Sequence, residues 1–425
     1  MQKNNRIFFT LLFFLCLFLT FNKHSKDKGN SYHGVIWSDA AGYYVYNPIW
    51  FVYGNNASAF PDSIEAKTGN GFYLSKDNNV ITKYPCGVAI LQSPFFLASH
   101  FLAEPLGYKA DGFSRIYSFG LFIAGAFYCC LGLFLLSRFL SKHFSPFISI
   151  AAPLLFLAGT NLFYYSIDAP GMSHVYSFFL FSVIVYLTPA ITLKVELRHY
   201  LPFFICIVLS VLTRPTNILI LLFPVFYAVN SRSELIARFK IFASHKVTIL
   251  IALILGSLAA IPQLIYWYDT TGKLITYSYG SESFVFLTAP KMLQVWFSTN
   301  NGLFTYSPLI LLSVLGIILL IKNKHCSGYL YAGIFLLISY IFASWWCWWF
   351  GCSFGARSFV EYYVILIIPF CYLMERSMKN KAGRIILVAA IAFCCYLNMD
   401  MEYYYDGCFY GGTWDLETYL KLLRS

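Results

Sequence analysis

One acid near the start of the chain and four basic residues spread along it are the side chains whose types could do chemistry together. Asp39 stands in WSDAAGYY at 37–44, Lys83 in TKYPCG at 82–87, Arg115 in FSRIYSFG at 113–120, Arg214 in Thr-Arg-Pro-Thr at 213–216 and Arg357 at the end of WWCWWFGCSFGAR at 345–357. A carboxylate can take the proton of an attacking hydroxyl, while several cations stabilise a departing phosphate, which carries charge but needs no proton. Hydrolysis of a glycosidic bond would more usually show two working carboxylates. One early Asp with several basic residues suits transfer of a group from a phosphate carrier.

Each of these residues also has a plainer explanation. Ser38-Asp39 would cap a helix running through 40–53. Lys83, Arg115, Arg214 and Arg357 would serve as span-end anchors that reach lipid headgroups. Arg214 and Arg357 stand out because Pro215 follows one, and Gly351 and Gly355 precede the other, putting both on irregular backbone. Such backbone at membrane depth is tolerated mainly where it lines a cavity. Candidate substrate contacts are Tyr44 and Tyr84 beside the acid and Lys83, Asp168 and His174 flanking the turn 166–172, and Glu361. Asp168 precedes Ala-Pro-Gly and reads equally as a turn former. Glu361, four residues after Arg357, is expected to form a structural ion pair with it. Trp345, Trp346, Trp348 and Trp349 read first as an aromatic belt, and second as a surface for stacking sugars.

The elements that must position these groups follow from composition. The chain is 59% hydrophobic, 20% aromatic and 12% charged, a balance that excludes a soluble domain. Apolar stretches long enough to cross about 30 Å of hydrocarbon recur along it, which means helices. Eleven spans are expected, at about 7–22, 115–137, 146–165, 173–193, 200–213, 215–230, 247–267, 304–321, 328–346, 358–374 and 384–398. The apolar run 86–104 would make a twelfth, but crossing there would flip every later span. Without it, alternate breaks hold 16 of the 30 Lys and Arg and three of the 19 acids, Glu196, Glu234 and Glu375. Those breaks are then cytoplasmic, and 86–104 becomes an interfacial helix bent at Pro94. The net charge of +11 is therefore an orientation signal and not a nucleic-acid surface.

MQKNNR and the apolar run after it also describe a secretory signal peptide, but FLTFNKHS offers no small-x-small cleavage site, so an uncleaved anchor is expected. A first outer loop at 23–114, a second at 268–303 and an outer tail at 399–425 complete a single transmembrane domain over 1–425. Inner loops are short, so chemistry belongs to the outer face, which has no nucleotide supply. Walker, Rossmann, HExxH and CxxC patterns are absent. Of 12 Cys, Cys86, Cys347, Cys352 and Cys408 face outside with no pairing fixed.

In order along the chain these motifs resemble the GT-C class of membrane glycosyltransferases, among them lipid A aminoarabinose transferases and protein O-mannosyltransferases. The resemblance rests on Asp39, Lys83-Tyr84-Pro85, Arg115, Asp168, Thr-Arg-Pro-Thr at 213–216, NGLFTYSPLILL at 301–312 and WFGCSFGARSFVEYYVILIIP at 349–369. The chain departs from that pattern at Tyr84, where the family element has Pro, and at Ala40 and Ala41, where many members carry a second acid. The resemblance implies an all-α polytopic GT-C fold with interfacial helices in the first outer loop. It also implies an inverting transferase using a polyprenyl-phosphate sugar donor, with Asp39 as base and Lys83, Arg115, Arg214 and Arg357 at the donor phosphate. The acceptor would be a lipid, glycan or protein of the envelope, and the location a prokaryotic plasma membrane with a cytoplasmic N-terminus and an outer C-terminus. No organic cofactor is expected, and a divalent metal has room in the chemistry but no assigned ligands. The rival reading is a transporter or flippase of a lipid-linked or envelope precursor, against which stand the absence of repeated halves and the clustering of charge at one interface.

Overall fold

The computed structural model describes residues 2–26, 34–193, 195–405 and 412–424. Helices carry nearly all the regular structure. Among the described residues the only sheet is a pair of two-residue antiparallel strands, Tyr73–Leu74 and Val80–Ile81. Seven helices are long and apolar enough to cross a membrane: Asn5–Lys26, Arg115–Leu140, Ser173–Leu193, Lys246–Thr271, Cys326–Ser344, Arg357–Ser377 and Lys381–Tyr404. Four shorter apolar helices, Pro146–Gly159, Leu197–Thr213, Pro215–Phe226 and Leu309–Lys322, fall in the other stretches read as spans. Several helices outrun their apolar cores, so the segments expected to open as loops at 23, 268 and 399 begin inside helices that end at Lys26, Thr271 and Tyr404.

The breaks have local causes. Leu197–Thr213 ends at Arg214, whose backbone is extended (φ −157°, ψ 125°), because Pro215 disfavours helix in the residue before it. Asn217 closes that end by donating to the Ser210 carbonyl at 3.1 Å, and it also donates to Ser177 Oγ at 3.0 Å. In lipid, close packing and interhelical polar contacts associate helices, because apolar burial is no gain there. Arg115–Leu140 accordingly packs along Ser173–Leu193, and Leu309–Lys322 along Tyr363–Ser377.

Residues 34–114 build a second core together with the start of Arg115–Leu140, Leu212 and Tyr266. Tyr44, Tyr46, Phe60, Phe72, Phe96, Phe113 and Tyr117 are buried together. The hydroxyls find partners, as buried tyrosines require: Tyr44 donates to the Gly112 carbonyl at 2.5 Å and Tyr46 to the Tyr84 carbonyl at 2.7 Å. The apolar run 86–104 forms the helix Gly87–Ala103, continuous through Pro94. It lies antiparallel to the first half of Arg115–Leu140 only, with Leu91 meeting Tyr128 and His100 meeting Tyr117. Its start rests on the end of Leu197–Thr213, where a Cβ on Gly87 would come within 2.5 Å of the Leu212 carbonyl carbon. That close approach sets the segment before Gly87, including Lys83 and Tyr84, beside Arg214.

Candidate active site

The helix ends that meet around one cavity of about 410 Å³ alternate as an up-and-down chain requires. His174 comes from the start of Ser173–Leu193, Arg214 from the end of Leu197–Thr213, Trp345 from just past Cys326–Ser344 and Arg357 from the start of Arg357–Ser377. Asp39, Lys83 and Tyr84 enter from the 34–114 unit, and Tyr279 and Glu282 from the segment after Lys246–Thr271. The remaining wall is largely apolar, with Met172, Phe284, Phe342 and Phe350 among its residues.

Asp39 opens the short helix Asp39–Tyr44, after Ser38 in left-handed conformation (φ 49°). Its Oδ2 accepts from Arg357 Nη2 at 2.7 Å and its Oδ1 from the Tyr84 hydroxyl. The capping explanation therefore gives way: Ser38 makes no side-chain cap bond, and both Asp39 oxygens turn to side chains in the cavity. Burial alone would push the Asp39 carboxyl up. The Arg357 guanidinium, the Tyr84 hydroxyl and Lys83 outweigh it and hold the group below its ordinary 3.8. Burial and the Asp39 charge push the Tyr84 hydroxyl well above its ordinary value, so it stays a donor.

Each cation of the cavity faces a carboxylate. Lys83 Nζ lies 2.6 Å from Glu282 and Arg214 Nη1 lies 3.1 Å from Glu361, while Arg357 holds Asp39. Glu361 is fully buried and also meets His174 Nδ1 at 3.3 Å. Arg214 further lies over the Phe350 ring at 5.4 Å. The expected Arg357–Glu361 pair does not form. Residues Arg357–Tyr362 are 3₁₀ helix, at three residues per turn, so positions four apart point about a third of a turn away from each other.

Three other candidates stand elsewhere. Arg115 lies over the Phe119 ring at 5.4 Å and joins no wall of the cavity. It precedes Tyr128, the residue that meets Tyr176, by 13 positions, roughly 20 Å of helix. Its expected convergence with the other cations is therefore corrected. Tyr44 is committed to the core of the 34–114 unit, and Asp168 pairs with Lys23 at 2.8 Å. Trp345 and Trp346 line the cavity instead of forming only a belt, while Trp348 is buried. Sequence reasoning missed Tyr43, Tyr279, Glu282 and Phe350; the length of the 268–303 segment was the one signal pointing to two of them. Cys352 is disulfide-bonded, Cys86 and Cys347 are free thiols, and Cys408 lies outside the described residues.

A divalent metal does not fit this donor set. Both Asp39 oxygens are held by donors, Glu282 and Glu361 are engaged by Lys83 and Arg214, and no group of three His, Cys, Asp or Glu gathers among the described residues.

No family model matches the chain, and no curated protein matches it. Among solved structures it is similar to an oligosaccharyltransferase from Archaeoglobus fulgidus in its apo form. The identity is 14%, the TM-score 0.49, and the likeness covers 94% of this chain. The chain spans 56% of the length of that protein.

Proposed function

We propose that the protein is a glycosyltransferase that moves a sugar from a polyprenyl-phosphate donor to an envelope acceptor at the outer face of the plasma membrane. The observation that carries this reading is the meeting of Asp39, Lys83, Arg214 and Arg357, distant in sequence, in one apolar-walled cavity. Residues of both its polar and its apolar walls match a ligand with a phosphate head and a hydrocarbon tail. The order of motifs shared with GT-C enzymes supports the same reading.

The reaction follows from the groups present. An acceptor hydroxyl attacks the anomeric carbon and forms a new C–O bond, while the bond from that carbon to the phosphate oxygen breaks with its electron pair. The hydroxyl proton goes to Asp39, and polyprenyl phosphate leaves as a dianion. Attack opposite the leaving group inverts the anomeric centre. Lys83 and Arg214 receive the growing phosphate charge. Arg357 links the two halves: its five donors let it shift a bond from Asp39 to the phosphate, which neutralises the leaving group and returns basicity to the carboxylate as the proton arrives. Metal or cofactor enters none of these steps.

The span ends and connections away from the cavity hold most of the basic residues, among them Arg138, Lys142, Arg232, Arg238, Lys322 and Lys324. Positive charge marks the cytoplasmic side, so the cavity faces out. The test is donor turnover. Reconstituted protein supplied with polyprenyl-phosphate sugars extracted from cells lacking the gene should release free polyprenyl phosphate, and Arg214→Ala should raise the donor KM about tenfold or more. Tight donor binding in the cavity with no release under any acceptor mixture would favour transport of the lipid over transfer.

A further inference from the structure

A second cleft of about 600 Å³ lies on the other side of Asp39, between the hairpin Tyr73–Leu74/Val80–Ile81 and the segment 63–72. The two cavities share three residues, Asp39, Lys83 and Tyr84. The same carboxylate thus borders a cation-lined, apolar cavity and a cleft of different chemistry. Ser38, Ser63, Asn70, Glu65 and Thr82 face the second cleft, and its volume falls within the range of about 300–1,000 Å³ usual for small-molecule sites.

Three of these side chains, Ser38, Ser63 and Asn70, make no hydrogen bond among the described residues. All three also hold left-handed backbone, with φ of 49°, 56° and 55°. Such backbone costs an L-residue about 1 kcal/mol or more, and it persists where the surroundings enforce it. Here they do: the Ser38 amide donates to the Thr68 carbonyl at 2.8 Å, and Gly71 lies so close that a Cβ there would come within 1.8 Å of the Ser38 carbonyl oxygen. At Ser38 the strained backbone holds an exposed hydroxyl next to Asp39, while the exposed Ser63 and Asn70 side chains line the same cleft. Tyr73 presents an aromatic ring, 58% exposed, at the same cleft.

We infer that this cleft binds the acceptor, and that the acceptor is a carbohydrate whose hydroxyl is presented to Asp39. The inference rests on the transferase reading above and names its second substrate. A sugar matches paired demands, with hydroxyls for Ser38, Ser63, Asn70 and Glu65 and a C–H face for the Tyr73 ring. A peptide added to the hairpin edge would need free backbone donors, but the Leu74 amide already donates to Glu65 Oε1 at 2.8 Å. An acyl chain would need apolar depth, and only Ala66, Phe72 and Ile81 supply apolar side-chain surface besides the rings of Tyr73 and Tyr84.

Saturation-transfer NMR on the full chain in lipid nanodiscs tests this, with methyl glycosides of glucose, galactose, mannose and N-acetylglucosamine mixed with a Ser-Thr-Asn tripeptide. The expected result is saturation of ring protons of at least one glycoside and none of the tripeptide. The double variant Asn70→Ala/Tyr73→Ala, changed only at exposed positions, should weaken that binding about tenfold, and Ser63→Tyr, which fills the cleft, should abolish it. Saturation of the tripeptide instead, glycoside signals unchanged in both variants, or no glycoside signal up to about 10 mM would overturn the inference. Quenching of tryptophan fluorescence by polyprenyl phosphate in the same nanodiscs reads the other cavity. Its failure with glycoside binding intact would sink the donor reading and leave the cleft standing, and the reverse would sink the cleft alone.

Discussion

In the proposed transfer, Asp39 and Arg357 form the pair on which the chemistry turns, and their electrostatics carry a pH signature. The native Asp39 carboxyl titrates below its ordinary value, so the stabilisation it gains from Arg357 is present above the ordinary 3.8 and is lost as pH falls through the depressed value. Asp39 is then ionised across roughly pH 5–8, and kcat/KM should show no acid limb from this group there. In Arg357→Gln the strongest downward influence is gone and burial remains, so the carboxyl rises and an acid limb should move upward toward neutral pH. A profile of the variant as flat as that of the parent would separate Arg357 from Asp39. Glu282 makes a different forecast. Its pair with Lys83 is partly exposed, at 38% and 23%, so it is the most readily displaced of the three ion pairs. Glu282→Gln should free Lys83 and tighten polyprenyl-phosphate binding roughly two- to fivefold in titrations at low salt, the scale of a half-exposed pair. Weaker binding would make Glu282 a ligand contact and not a competitor. Asp39, Lys83, Arg214 and Arg357 were legible because each sits on a local anomaly, an acid in an apolar chain or a cation beside Pro or Gly. Arg115 misled because a cation at a span end looks the same wherever the helix begins. Glu282 and Tyr279 lie in a long segment with no pattern at all.

Among the elements, the turn after Leu197–Thr213 does the most to aim a cation. Arg214 leaves the helix in extended conformation, and Asn217 ties the broken end to Ser177, Ser210 and Thr213. Asn217→Leu removes three donated bonds and leaves buried acceptors open. It should lower stability by about 1–3 kcal/mol in reversible unfolding and raise donor KM more than it lowers kcat, because it misplaces Arg214 without touching Asp39. Unchanged donor KM would mean that Arg214 is aimed by Glu361 alone. Helices could be read from apolar length, and the exit at Arg214 from Pro215. The 3₁₀ turn at Arg357–Tyr362 could not, since nothing in RSFVEY separates three residues per turn from 3.6, and the Glu361 partner changed with it. Nor could the aromatic core of 34–114, where Tyr44 turned out to be structural: clustered Tyr and Phe have no period that tells packing from stacking on a substrate.

For the molecule as a whole, the account needs the cavity on the outer side and the run 86–104 on that same side. Gly87–Ala103 pairs with only the first half of Arg115–Leu140, as a helix that does not traverse the bundle would. A single cysteine at Lys109 should therefore label from outside intact cells and one at Lys142 from the inside, and labelling of both from the same face would contradict this topology. That orientation rests on the charge balance, since 16 of 30 basic residues fall in the alternate breaks. The meeting of four distant side chains in one cavity was not readable, because it depends on which helix ends adjoin in space. The most direct test of the central claim is the transfer rate of Asp39→Asn in reconstituted membranes supplied with extracted polyprenyl-phosphate sugars and envelope acceptors. The substitution keeps size and can still accept from Tyr84 and Arg357 through its amide oxygen, but it cannot take a proton. The account predicts a folded, membrane-inserted protein that binds donor and loses about 100-fold or more in rate. Turnover near that of the parent would contradict it.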